Sequence, residues 1–143
     1  LVSMGESGYL RAAKAILETA AKIKQGVREI PELQLCGDPL FVVAFMSESL
    51  DIFQIMEHMT QKGWGLNGLH SPAAVHICVT LRHTQPGVAE QFIADLKEAI
   101  AYVKANPDAP SGVGTIYGMA SAVELRGMVS DLLKMYMDLL YQV

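Results

Sequence analysis

The chain has 143 residues, 51% of them hydrophobic and 18% charged, with a formal net charge of −4. That apolar content excludes a disordered chain, the length favours one domain with one core, and no apolar run approaches the roughly 20 residues of a membrane span, so a soluble domain is expected. The acidic balance, with no basic cluster among aromatics, excludes nucleic acid as the expected partner.

Cys36 and Cys78 are too few for a disulfide scaffold and lie in apolar, strand-like segments. Both are expected as small buried hydrophobes in a reducing, cytoplasmic setting. The chain starts at Leu1 rather than Met, and its mean hydropathy of +0.27, with eight Met, is high for a free-standing domain. Both features point to a piece of a larger protein whose apolar surface expects a partner.

Leu10, Ala13, Ile16/Leu17, Ala20, Ile23 and Val27 recur at spacings of three or four, which predicts a first helix with one apolar stripe, capped by Ser7 and stopped by Pro31. Leu33 to Cys36 alternates, Gly37-Asp38-Pro39 is a turn signature, and Leu40 to Met46 is continuously apolar and rich in β-branched and aromatic residues. Two strands joined by a tight turn are predicted there. Ser49-Leu50-Asp51 offers caps to a short helix carrying Ile52, Ile55, Met56 and Met59, ended by Lys62-Gly63 with Gly63 in the left-handed position. Trp64 to Leu69 reads as a short strand or loop, and Val75 to Leu81 as a buried strand. Pro86-Gly87 opens a long helix through Phe92, Leu96, Ala99 and Val103 that closes at Asn106-Pro107. A turn-rich loop over 107–118 then leads into a closing helix with a wide apolar arc that includes Leu132, Tyr136 and Leu139. The order is α-β-β-α-β-β-α, a loop and a last helix. It predicts an α+β domain, a small antiparallel or mixed sheet covered by helices.

Conventional site signatures are missing. Gly112-Val113-Gly114 lacks the Gly-Lys-Ser/Thr of a phosphate-binding P-loop, and there is no G-x-S-x-G or H-E-x-x-H. His76 and Cys78 share one strand face, but no further ligands accompany them, so no metal site is expected. His58 reads as a partly exposed surface histidine; His70 and His83 fall in loops. In Ser111 to Gly118 the glycines let backbone N–H groups approach an anion, and Tyr117 can aim its hydroxyl at the same place. The same pattern also fits a connection whose tyrosine packs on the domain.

Gly8-Tyr9, Gly37-Asp38-Pro39, Lys62-Gly63-Trp64-Gly65-Leu66-Asn67, Pro72, Val75-His76-Ile77-Cys78-Val79-Thr80 and Gly114-Thr115-Ile116-Tyr117-Gly118-Met119-Ala120, in this order, resemble the C-terminal domain of the sphingosine-1-phosphate lyase family. The likeness runs to Asp138-Leu139-Leu140-Tyr141, so residues 1–143 form a single small domain of a larger enzyme. Departures from the family pattern are Val113 in place of Met, Thr115 in place of Ala, and Leu125 in place of the Asp before Arg126.

The resemblance implies a fold-type-I pyridoxal phosphate (PLP) enzyme related to the group II decarboxylases. Such an enzyme cleaves phosphorylated sphingoid bases, in sphingolipid metabolism, to a long-chain aldehyde and phosphoethanolamine. It implies a homodimer in which a lysine of the large domain holds PLP and the small domain closes the site. By the same resemblance Tyr117 reaches the substrate phosphate, Gly112 and Gly114 are neighbouring loop contacts, and His76 falls near the strand position where related decarboxylases place an arginine for the substrate carboxylate. No lysine here has the family's His-Lys context, so this chain alone is expected to hold no catalytic residue, bind no PLP and be inactive. Eukaryotic relatives carry an N-terminal membrane anchor, a region outside these residues. The wide apolar arc of the last helix, with Met119, Met128, Met135 and Met137, is the expected docking surface and a source of self-association. The alternatives are the C-terminal domain of a PLP-dependent amino-acid decarboxylase and a stand-alone, ferredoxin-like interaction module.

Overall fold

A computed structural model describes residues 3–109, 112 and 126–141. Helix α1 spans Gly5–Arg28 and is followed by strands β1 (Gln34–Leu35) and β2 (Val42–Met46), helix α2 (Ile52–Gln61), strands β3 (Asn67–His70) and β4 (Ala73–Cys78), a 3-10 turn (Leu81–Thr84), helix α3 (Val88–Ala105) and helix α4 (Arg126–Leu140). The sheet is wholly antiparallel, in the order β1-β2-β4-β3. Both of its outer pairings, β1 with β2 and β3 with β4, join strands consecutive in the chain. The α+β expectation holds, with the antiparallel choice resolved.

Local chemistry explains most boundaries. Asp51 caps α2, its Oδ1 accepting from the N–H groups of Phe53 (2.8 Å) and Gln54 (3.4 Å). Gly63 follows α2 with φ +90° and Gly87 precedes α3 with φ +84°, left-handed conformations that favour glycine. Ser7 is not a cap: α1 begins two residues earlier at Gly5, behind Met4, with no side-chain cap and with Glu6 complementing the positive end of the helix dipole. The β1–β2 connection is no tight turn either. Pairing ends at Leu35 with Phe45, apart from one further bond from the Cys36 N–H to the Ala44 carbonyl (2.8 Å), and the chain between is held from outside by Lys24. Leu40 and Phe41, expected inside a strand, are 71% and 46% exposed because the pairing with β4 begins at Val42 opposite Cys78.

Helices α1 and α2 lie on one face of the sheet and α3 packs against both. Their apolar stripes meet Val43 and Phe45 of β2 and Val75 and Ile77 of β4 in one core, with Ile23 and Val27 of α1, Ile55 and Met59 of α2, and Phe92 and Leu96 of α3. Helix α1 contributes from Ile16 onward, while Leu10 and Leu17 are exposed. The α1–α3 crossing is close at Gly26, where a Cβ would stand 2.5 Å from the Ile93 side chain. In α4, Leu132, Leu133, Met135, Tyr136, Met137, Leu139 and Leu140 are all exposed, opposite a face formed by Asp131, Lys134 and Asp138. Met119 and the Met128 side chain lie outside the described residues. No described helix is long and apolar enough to cross a membrane.

Candidate functional site

Tyr117 and Gly114 lie outside the described residues, so the site is built here from what surrounds the start of their loop and from the sheet. Gly112 is exposed, and no described residue stands within 4 Å of where its Cβ would be. The chain leaves α3 through Asn106, whose N–H closes the helix on the carbonyls of Tyr102 (3.0 Å) and Val103 (3.2 Å). Gln54, on α2, reaches across to this exit: its Nε2 donates to the carbonyls of Pro107 (3.3 Å) and Ala109 (3.0 Å). One helical turn on, the His58 ring lies 4.5 Å from that of Tyr102, which joins α2 to the last turns of α3. Gln54, Glu57, His58, Gln61, Tyr102 and Ala109 line a cleft of about 90 Å³. Gln54 Oε1 and His58 Nδ1 are buried without a hydrogen-bond partner among the described residues. His58 is therefore half-buried and packed, more than a surface histidine.

His76 sits on β4 between Ala44 of β2 and Asn67 of β3. Its neighbours Val75 and Ile77 point into the core, so by strand alternation His76 faces the other side of the sheet, which no described helix covers. The ring is half-buried and its Nδ1 has no partner among the described residues. Cys78 shares that face and is exposed, and Cys36, just past the end of β1, is half-buried, where buried hydrophobes were expected of both. Burial pushes the Cys36 thiol up from its ordinary range, the opposite of an activated nucleophile. Among the described residues no three of His, Cys, Asp or Glu come together as ligands for a metal ion.

Two polar networks brace the scaffold. Lys24, although buried, donates to Asp38 Oδ1 (2.8 Å) and to the carbonyls of Pro39 and Leu40, which holds the β1–β2 connection against α1 and the Asp38 carboxyl below its ordinary range. Asp95 of α3 accepts from the Trp64 indole and from Gln91, beside Lys62. His83 accepts the Thr80 N–H at Nδ1 (2.9 Å), and burial, then Arg82, holds its imidazole below the ordinary histidine range.

The described residues do not fit PLP. A lysine that binds its aldehyde needs a free amine inside a pocket that also takes the phosphate. Lys24, the buried lysine, is committed to Asp38 and two carbonyls, Lys14, Lys22, Lys62, Lys104 and Lys134 lie against carboxylates, and Lys97 is exposed on α3 rather than enclosed in a pocket. Sequence reasoning singled out His76 and the loop glycines, read His58 only as a partly exposed surface histidine, and did not single out Gln54 or Lys24. Their partners lie from 14 to 55 positions away in the chain, and no local pattern marks them.

No family model matches the chain. A sphingosine-1-phosphate lyase of Arabidopsis thaliana is 45% identical over 99% of this chain, and sphingosine-1-phosphate lyase 1 of Rattus norvegicus is 40% identical over the same share. The chain spans about a quarter of their length, 26% and 25%. The solved structure of a Burkholderia pseudomallei sphingosine-1-phosphate lyase superposes with a TM-score of 0.72 over 95% of this chain and 27% of that one, at 40% identity. A cystine C–S lyase at 16% identity superposes over 60% of this chain with a TM-score of 0.52 and shows the fold alone; another structure of it, at a TM-score of 0.50, carries glycine linked to a PLP cofactor. By sequence along practically its whole length and by the fold of its helix-covered antiparallel sheet, the chain belongs to the sphingosine-1-phosphate lyase family, of which it forms a C-terminal domain.

Proposed function

We propose that this domain serves a PLP-dependent carbon–carbon lyase that splits phosphorylated sphingoid bases into a long-chain aldehyde and phosphoethanolamine. The alignment of nearly the whole chain with lyases carrying that name supports the reading. PLP supplies the sink for the electron pair left when the bond between the hydroxyl-bearing and amine-bearing carbons breaks, and it is held by the part of the enzyme outside this domain. Without that part the chain is inactive.

Recognition is the work of this chain's own residues. Tyr117 donates its phenolic hydrogen to a phosphate oxygen of the substrate, a charge-assisted bond stronger than one between neutral groups. Gly112 and Gly114 let the neighbouring backbone approach the same anion. His76 offers an imidazole, from the sheet face that no described helix covers, to the polar end of the substrate. That sheet face and the apolar arc of α4 are the surfaces that meet the large domain, within a homodimer. The unpaired thiols of Cys36 and Cys78 suit a reducing, cytoplasmic compartment.

The test is release of long-chain aldehyde from a phosphorylated sphingoid base by the full-length enzyme that carries this domain, with Tyr117→Phe beside it. Aldehyde from the wild type and a severe loss in the variant are expected. CO2 released from an amino acid, with no aldehyde, would move the enzyme to the decarboxylases and leave Tyr117 without a phosphate role.

A further inference from the structure

We infer that the exposed apolar stripe of α1, together with Leu40 and Phe41, is a docking surface for the part of the polypeptide that precedes this domain, and that it takes an apolar segment carrying a carboxylate. This surface is distinct from the open sheet face and from α4. It rests on family membership alone and not on the lyase chemistry.

Three observations carry it. First, large apolar residues that α1 and the β1–β2 connection leave in solvent come together. Leu10 (65% exposed) and Leu17 (41%) stand seven positions apart and so share one face of α1. Leu17 and Leu40 line one hollow of about 300 Å³ with Ala21, Lys24, Arg28 and Asp38. Phe41, next in the chain and also exposed, accepts at its carbonyl from the Val79 N–H (2.9 Å), two residues before the exposed Leu81, where the 3-10 turn packs on α1. Secondly, the exposure is held in place. Lys24 spends its amine on Asp38 Oδ1 and on the carbonyls of Pro39 and Leu40, which ties the connection to α1 and keeps Leu40 beside Leu17. An apolar surface that is already ordered loses little freedom when it is covered. Thirdly, Asp38 neutralises Lys24, whereas Arg28, which lines the same hollow, has no ion pair among the described residues. A guanidinium beside an apolar hollow fits a segment that brings an apolar side chain and a carboxylate together.

The occupant follows from the place of the domain in the family. The chain spans about a quarter of the length of its relatives as a C-terminal domain, so most of a full-length member lies before α1. That part is joined to the start of the very helix that bears the stripe. A tethered segment meets such a surface at an effective concentration of the order of mM, an advantage that a separate copy lacks.

The experiment uses the full-length enzyme. With Leu40→Cys, maleimide labelling at position 40 is read by mass spectrometry in the native enzyme and in urea, and Arg28→Glu and Arg28→Lys are each added to that variant. Separately, a benzophenone amino acid replaces Leu40 and is irradiated. Native labelling is expected to be slower on the order of tenfold or more, although Leu40 is 71% exposed in this domain. Arg28→Glu is expected to speed it severalfold and Arg28→Lys, which keeps the charge, much less. The photo-cross-link is expected to land on sequence before Leu1, near an Asp or Glu. Native labelling as fast as in urea overturns the surface, and cross-links confined to residues 1–143 overturn its occupant. An unchanged rate in Arg28→Glu overturns the carboxylate.

Discussion

The indole N–H of Trp64 donates to Asp95 Oδ2 at 2.8 Å, and this bond ties the turn after α2 to the middle of α3. The other oxygen of Asp95 accepts from Gln91 Nε2 (3.0 Å) and lies 3.4 Å from Lys62 Nζ, while the Trp64 ring meets Phe92 edge-on at 5.0 Å. A carboxylate so deep in the protein is tolerated because each oxygen has a donor. Trp64→Phe keeps an aromatic ring and removes the donor, and is expected to lower stability by about 1–3 kcal/mol, measured by denaturant unfolding. An unfolding midpoint equal to wild type would show that the bond contributes nothing.

Asp95 also sets a pH dependence. The Trp64 bond foremost, with Gln91 and Lys62, holds its carboxyl below the ordinary value of 3.8, against the opposing effect of burial. A carboxyl lowered in the folded state favours folding above its unfolded value, and the contribution is lost as pH falls through the folded value. Asp95→Asn should therefore be less stable than wild type at neutral pH, with the difference shrinking once pH drops below about 3.8. Thermal unfolding of both proteins across that range checks it; a difference that stays constant with pH would rule out the charge as the cause.

At the α1–α3 crossing, Gly26→Ala should destabilise by about 1–3 kcal/mol, although alanine is the better helix former, because its Cβ would stand 2.5 Å from Ile93 Cγ1 and Cδ1. Ile93→Ala should relieve that clash. In a double-mutant cycle the two substitutions together are expected to cost less than the sum of their separate effects, and strict additivity would place the strain elsewhere.

The exposed arc of α4 is expected to make the isolated domain self-associate. With Leu132 66% and Leu139 67% exposed, the apolar side of α4 is the kind of surface that marks an interaction site. Sedimentation of the 143-residue chain should show oligomers that grow with concentration, and Leu132→Lys with Leu139→Lys should return it to a monomer. A monodisperse wild-type monomer at high concentration would refute this.

Elements whose signals lie within a few residues were legible in the sequence. The Asp51 cap, the left-handed Gly63, the Gly87 entry to α3 and the Asn106 exit are short-range chemistry, and they stand where the sequence put them. The family was legible as well, since ordered motifs such as His76-Ile77-Cys78 and the stretch around Tyr117 survive in the sequence itself. Cap choice was harder to read: Ser7 had the right chemistry, but α1 runs past it to Gly5.

Only the tertiary structure decided which apolar residues are covered and which polar ones find partners. Cys78 and Leu40 read as core residues and are exposed, because one sheet face has no described helix over it and β2 starts pairing only at Val42. Lys24 and Asp95, which no sequence pattern singles out, are buried, because carbonyls and donors distant in the chain converge on them. Gln54 acquires its meaning only when α2 lies beside the end of α3. Turn and cap preferences are energies of neighbouring residues and are written locally; burial and hydrogen-bond matching are properties of the assembled packing, which no short stretch of sequence contains.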